Sequence, residues 1–87
     1  MMKIVYSREF LSSVKQLQKI QQKKLSKLLL ALQENPFHTL LHTKRLKGPL
    51  LGILSFRITR DWRVMFQFID AATIQLLRVA HRNNIYR

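Results

Sequence analysis

The spacing of hydrophobic positions changes once along the chain and divides it into a helical half and a sheet half. Residues 2–6 come first as a short strand, with Ile4 and Tyr6 on one face and Lys3 and Val5 on the other. Ser7 then offers a helix N-cap, with Glu9 acidic in the first turn. Phe10, Val14 and Leu17 recur at helical spacing, as do Leu25, Leu28, Leu29 and Leu32, so residues 8–34 read as helix. A straight continuation of the first stripe needs apolar residues at 21 and 24, where Gln21 and Lys24 stand, and the stripe resumes one residue late at Leu25. The slip predicts a helical hairpin with a tight turn near residues 19–22, although no Gly or Pro marks it. Asn35-Pro36 ends the second helix, because the residue before proline is pushed out of the helical region.

After a connector from Phe37 to Thr43, Lys44 to Lys47 reads as a short extended segment and Gly48-Pro49 as a turn. The pattern then becomes period two. Leu54, Phe56 and Ile58 alternate with Ser55, Arg57 and Thr59, and Trp62, Val64, Phe66 and Phe68 alternate with Arg63, Met65 and Gln67. Thr73 to Ala80 is the last strand, with turns at Thr59-Arg60-Asp61 and Asp70-Ala71-Ala72. Consecutive strands with short links make an antiparallel meander, and the helices must cover one of its faces. The expected fold is α+β in the order β-α-α-β-β-β. Two N-terminal helices pack on one face of a small, mainly antiparallel four-stranded sheet, in a single domain spanning residues 1–87.

Charge changes this picture more than composition does. Among 87 residues, 16 Lys and Arg stand against 4 Asp and Glu, a net charge of +12. With 47% hydrophobic residues the chain has material for a core and is no disordered basic tail. The absence of cysteine excludes disulfide frameworks, zinc fingers and thiolate nucleophiles. The apolar run Leu28 to Leu32 is too short to cross a bilayer, and the N-terminal residues lack the apolar stretch of a signal peptide. A soluble cytoplasmic protein with a polyanionic partner is expected, with no membrane association.

The cations are sorted along the chain. Six of the eight lysines precede residue 44, and seven of the eight arginines follow it. Lys15, Lys19, Lys23 and Lys27 are four apart, so they share the solvent face opposite the leucines. A solvated helix surface is the plain reading, but like charges at that spacing destabilise a helix and few acids relieve them. A footprint on a phosphate backbone is the reading preferred here. Lys44, Arg45, Lys47 and Arg78 are expected to extend this phosphate-binding surface. Strand alternation points Phe56, Ile58, Val64, Phe66 and Phe68 at the helices, which turns Arg57 and Arg63 onto the uncovered face. Arg78 and Arg82 share a face with each other. Guanidinium groups grip two phosphate oxygens at once, so their convergence predicts an anion site. His38 and His42 read as loop residues, because a pair of histidines without acidic neighbours is weak evidence for a metal, and no metal is expected. His81 lies beside Arg82 and five residues before Tyr86.

Leu46-Lys47-Gly48, Ser55-Phe56-Arg57-Ile58, Asp61-Trp62-Arg63-Val64-Met65-Phe66 and the run from Arg78 through His81-Arg82-Asn83-Asn84-Ile85-Tyr86-Arg87 resemble the RelE/ParE superfamily of toxins from toxin–antitoxin pairs. The resemblance covers essentially the whole chain and is closest to RelE-like mRNA interferases. It implies a ribosome-dependent endoribonuclease that cuts messenger RNA in the A site by 2′-hydroxyl attack on the adjacent phosphate, without metal or other cofactor. Its implied partners are ribosomal and messenger RNA and a cognate antitoxin that holds it inactive. By position, Arg63 resembles the arginine that stabilises charge on the phosphate, Arg82 the one near the leaving 5′-oxygen, and Tyr86 the tyrosine that stacks on the messenger. Where the family's best-understood members carry a pair of lysines, this chain offers Arg57, with Lys47 upstream. Arginine is a poor base, so His81 is the candidate general base and that role stays open. The same fold also carries ParE-like inhibitors of DNA gyrase, and members that only bind RNA or an antitoxin.

Overall fold

Two serines fasten the first helix at both of its ends. In the computed structural model, which describes residues 1–85, strand β1 (Lys3–Tyr6) leads into helix α1 (Arg8–Ser13). Ser7 Oγ accepts the Phe10 N–H at 3.0 Å, the N-cap expected of it, and donates to the Leu77 carbonyl at 2.8 Å. Ser13 Oγ donates to the Phe10 carbonyl at 2.9 Å and accepts the Val79 N–H at 2.8 Å. Leu77 and Val79 belong to strand β5 (Thr73–His81), which β1 pairs only as far as Leu76. The serine hydroxyls therefore take over where the strand partner stops, and this stretch of sheet edge is not left as a template for another chain.

The helices separate at Leu17-Gln18, two residues before the predicted turn. A single 3₁₀ turn (Val14–Gln16) follows α1, Leu17 and Gln18 are extended, and helix α2 runs Lys19–Glu34. The extended backbone keeps Leu17 buried while Leu25, Leu28 and Leu32 of α2 reach the same core, which reconciles the slipped stripes. Amide side chains do the capping that Gly, Ser or Asp usually signals. Gln21 Oε1 accepts the Gln18 N–H at 2.9 Å, and Gln22 Nε2 donates to the carbonyls of Leu17 at 3.0 Å and Val14 at 3.4 Å. Gln22→Ala is expected to cost about 1–2 kcal/mol, read as a lower urea midpoint with unchanged slope. Lys15 stands in the 3₁₀ turn, so only Lys19, Lys23 and Lys27 share one helix face.

The sheet has five strands and is mixed, where four were expected. The short pair Lys44–Arg45 forms β2, followed by β3 (Leu54–Arg57) and β4 (Trp62–Asp70). The spatial order is β1-β5-β4-β3-β2, with β1 parallel to β5 and the other neighbours antiparallel. Two residues of β2 pair with β3, Lys44 with Ser55 and Arg45 with Leu54, too short a segment to show alternation in the sequence. Asn35-Pro36 ends α2 as expected, and the connector contains a 3₁₀ turn at Thr39–Leu41.

One face of the sheet carries the main core, in which Phe56, Val64, Phe66, Ile74 and Leu76 meet Phe10, Leu17, Leu25, Leu28 and Leu32. Phe68, assigned to this core from its alternation, is 37% exposed and packs at its rim against Phe37 and Phe66. The other face is not bare. Leu46, Met65, Ala80 and Ile85 form a second small core there, with Leu50, Ile53 and Leu77 against it. A bulge makes this arrangement possible, because Met65 pairs with Arg78 whereas Phe66 pairs with Leu76, leaving Leu77 as the extra residue. Without it, alternation from Leu76 would send Arg78 into the main core. Among the described residues no helix is long and apolar enough to cross a membrane.

Candidate active site

Arg57 and Arg63 face each other directly across β3 and β4. Opposed residues of an antiparallel pair have Cβ atoms about 4.5–5.5 Å apart, where like charges destabilise. Burial first, and then the guanidinium groups of Arg57 and Arg82, hold the Arg63 pKa below the usual arginine range. Arginine nonetheless remains protonated near neutrality. The Nε of Arg57 is buried and has no hydrogen-bond partner among the described residues, an orphaned donor of the kind a bound anion satisfies.

These groups line a cavity of about 280 Å³ that opens between the second core and the sheet. Lys44 enters it from β2, opposite the buried Ser55, while Leu46 and Ile85 supply apolar walls. Arg82 joins from the 3₁₀ turn after β5 (Arg82–Asn84). Its N–H donates to the Asp61 carbonyl at 2.7 Å and its Nε lies 3.5 Å from Asp61 Oδ1. Both side chains of that ion pair are about half exposed, at 43% and 52%, so it aligns Arg82 more than it neutralises it. No carboxylate lines the cavity itself among the described residues. Sulfate or phosphate is expected to raise the melting temperature more than chloride at equal ionic strength, and Arg57→Leu to erase the difference.

Several residues singled out from sequence lie elsewhere. His81 pairs with Trp62 on the helix-facing side, with ring centroids 5.3 Å apart, and its Nδ1 accepts the Asn83 N–H at 3.2 Å. That places it outside the arginine cavity because one strand position separates the two faces. Arg78 does lie on the cavity's face but donates to the carbonyls of Asn84 at 3.2 Å and Ile85 at 3.4 Å, so it ties down the C-terminal turn. Arg45 caps the Phe37 ring at 5.4 Å from its centroid, on the face away from Lys44. Lys47 precedes the 3₁₀ turn Gly48–Leu50 and does not line the cavity. Tyr86 lies outside the described residues.

A second cavity of about 510 Å³ adjoins the first, with an apolar floor of Leu28, Leu40 and Ile58 and a cationic rim of Lys24, Lys27 and Arg60. Arg57 and His42 line both cavities. His42, read from the sequence as a loop residue, does lie in the connector, and its place in the lining of both cavities had no signal in the sequence. It has a positive φ of 49°, the one non-glycine residue so placed among those described, and nothing in a single sequence announces that conformation. Among the described residues no group of three or more His, Cys, Asp or Glu is placed to hold a metal ion.

Solved structures share this fold over nearly their whole length. YafQ from E. coli strain BL21(DE3) matches with a TM-score of 0.80 at 21% identity, covering 100% of both chains. A YoeB/ParE toxin from Agrobacterium tumefaciens matches at 0.77 and 20% identity over 93% of this chain and 99% of that one. The toxin–antitoxin complex RelBE2 from Mycobacterium tuberculosis matches at 0.77 and 20% identity, over 93% and 98% of the two chains. No curated protein matches the sequence. The family model for the ParE toxin of type II toxin–antitoxin systems, parDE, matches residues 4–86, a span that takes in all but the first residue of β1, the other four strands, both helices and all the arginines of the cavity. The chain belongs to that toxin family.

Proposed function

We propose that this protein is a ribosome-dependent endoribonuclease that cuts messenger RNA in the A site and is neutralised by a cognate antitoxin. The observation that carries this reading is the meeting of Arg57, Arg63 and Arg82 in one cavity with no acidic lining residue among those described. Attack of a ribose 2′-oxygen on the adjacent phosphorus concentrates negative charge on the nonbridging oxygens. Donors fixed in place beforehand stabilise that state more than the ground state. Arg63 and Arg57, opposed on rigid strands, are suited to the nonbridging oxygens, and Arg82, at the strand end, to the departing 5′-oxygen. Lys44 adds a point charge that attracts the backbone. The exposed face of Lys19, Lys23 and Lys27 supplies a sequence-independent attraction to ribosomal RNA that weakens with salt.

Primer extension on a messenger in a purified translation system, with and without ribosomes, tests this. Cuts at A-site codons that require ribosomes are expected. The ParE description of the family model favours a second reading, inhibition of DNA gyrase without nuclease activity. Loss of supercoiling by gyrase together with intact messenger would establish that reading instead. An acidic antitoxin segment is the expected partner, since a chain of net charge +12 attracts it and the arginine cavity gives it a place to bind.

A further inference from the structure

The geometry points to His42 as the general base of the cleavage, an assignment that rests on the nuclease reading above. The arginines of the cavity stabilise charge but are unsuited to take the 2′-hydroxyl proton. Arg57, Arg63 and Arg82 do not deprotonate, and His81 is turned to the opposite face. Among the described residues lining either cavity, His42 is the one that carries an imidazole, the side chain most often used as a general base. It stands at the junction of the two cavities, beside Arg57, with its side chain exposed to an incoming strand.

The loop that carries His42 is held at every turn. Leu41 is fully buried in the main core. Thr43 Oγ1 donates to the Pro36 carbonyl, and the N–H groups of Phe37 and Leu40 are met by Asn35 Oδ1 at 3.0 Å and His38 Nδ1 at 3.1 Å. The left-handed backbone of His42 is therefore imposed by the anchored residues on both sides. Unfavourable backbone geometry persists where surrounding structure over-determines it, and it clusters at functional sites. Among the described residues, every charged side chain lining the two cavities beside His42 is cationic. Lys44 comes from β2, Arg57 from β3, Arg63 from β4 and Arg82 from the turn after β5. Lys24 and Lys27 come from α2 and Arg60 from the turn before β4.

In the proposed step an imidazole nitrogen of His42 takes the 2′-hydroxyl proton as the oxygen bonds to phosphorus. The phosphorus–5′-oxygen bond breaks, the departing oxygen takes a proton from water, and His42 later returns its own to solvent. The products are a 2′,3′-cyclic phosphate and a 5′-hydroxyl, with no change of oxidation state and no net proton.

His42→Asn tests this cleanly, because asparagine tolerates a left-handed backbone but cannot act as a base. Single-turnover cleavage on programmed ribosomes is expected to slow by about 10²-fold or more, with ribosome binding unchanged. The unaltered protein should lose rate on acidification through the range in which imidazoles protonate, and the variant should not. Added imidazole should restore rate to His42→Gly. Cleavage by His42→Asn within a few-fold of the unaltered protein would overturn the assignment and leave the nuclease reading standing. So would a slow variant that keeps the acid limb while His42→Gly gains nothing from imidazole. Failure of the unaltered protein to cut on ribosomes would overturn both.

Discussion

Arg63→Ala is expected to lower ribosome-dependent cleavage by about 10²–10³-fold, the cost of losing one fixed donor to a developing oxyanion, while the protein melts no lower than before. The two halves of this result have one cause. Arg63 is squeezed between burial and the charges of Arg57 and Arg82, and its pKa is lowered in the folded protein. For a cationic group a lowered folded pKa means that folding disfavours the charged form. That cost is present at every pH below the lowered value, neutral pH included, and lifts only as pH rises through it. Removing the guanidinium therefore relieves repulsion even as it removes catalysis. Single-turnover cleavage and a thermal melt measured on the same preparation check both parts. A melting temperature that falls along with the rate would make Arg63 a structural residue.

Phe66→Ala is expected to cost about 3–5 kcal/mol, a large share of the roughly 5–15 kcal/mol that holds a domain folded. Phe66 is fully buried on β4, with its ring 6.0 Å from Phe56 and 6.2 Å from Phe68. Both sides of the sheet depend on this strand, since Val64 and Phe66 face the main core while Arg63 and Met65 face the cavity and the second core. The fall in melting temperature should be about 4–8 °C per kcal/mol for a chain of this size. Cleavage measured well below the new midpoint should stay close to that of the unaltered protein, because Phe66 packs in the main core and does not line the arginine cavity. A shift of only a few degrees would mean that Phe56 and Phe68 close over the gap.

Much of this was legible in the residues. Ser7 announced α1, Asn35-Pro36 ended α2, and the alternation around Phe56 and Val64 put Arg57 and Arg63 together on one face. Those signals are local, and local rules read them. What escaped was decided by contacts distant in sequence or by side chains acting outside their usual roles. The helix break went to Leu17-Gln18 because glutamine amides capped it. Phe68 lies at the rim because it stands near the end of β4, two residues before Asp70, where the core gives out. Arg78, expected as a cation for RNA, has a further task in tying down the C-terminal turn through two carbonyls, which no local rule announces. The second core was hidden because Leu46, Met65, Ala80 and Ile85 come from separate elements and form no periodic stripe.

The parallel pairing of β1 with β5 joins residues 3–6 to residues 73–76. Such a closure spans most of the chain and forms slowly, after the local helices and hairpins. During synthesis the N-terminal strand has no partner until β5 has emerged, and Arg82 emerges later still. The arginines of the cavity, carried by β3, β4 and the turn after β5, are thus brought together only once the last strand of the sheet has been made and has found its place between β4 and β1.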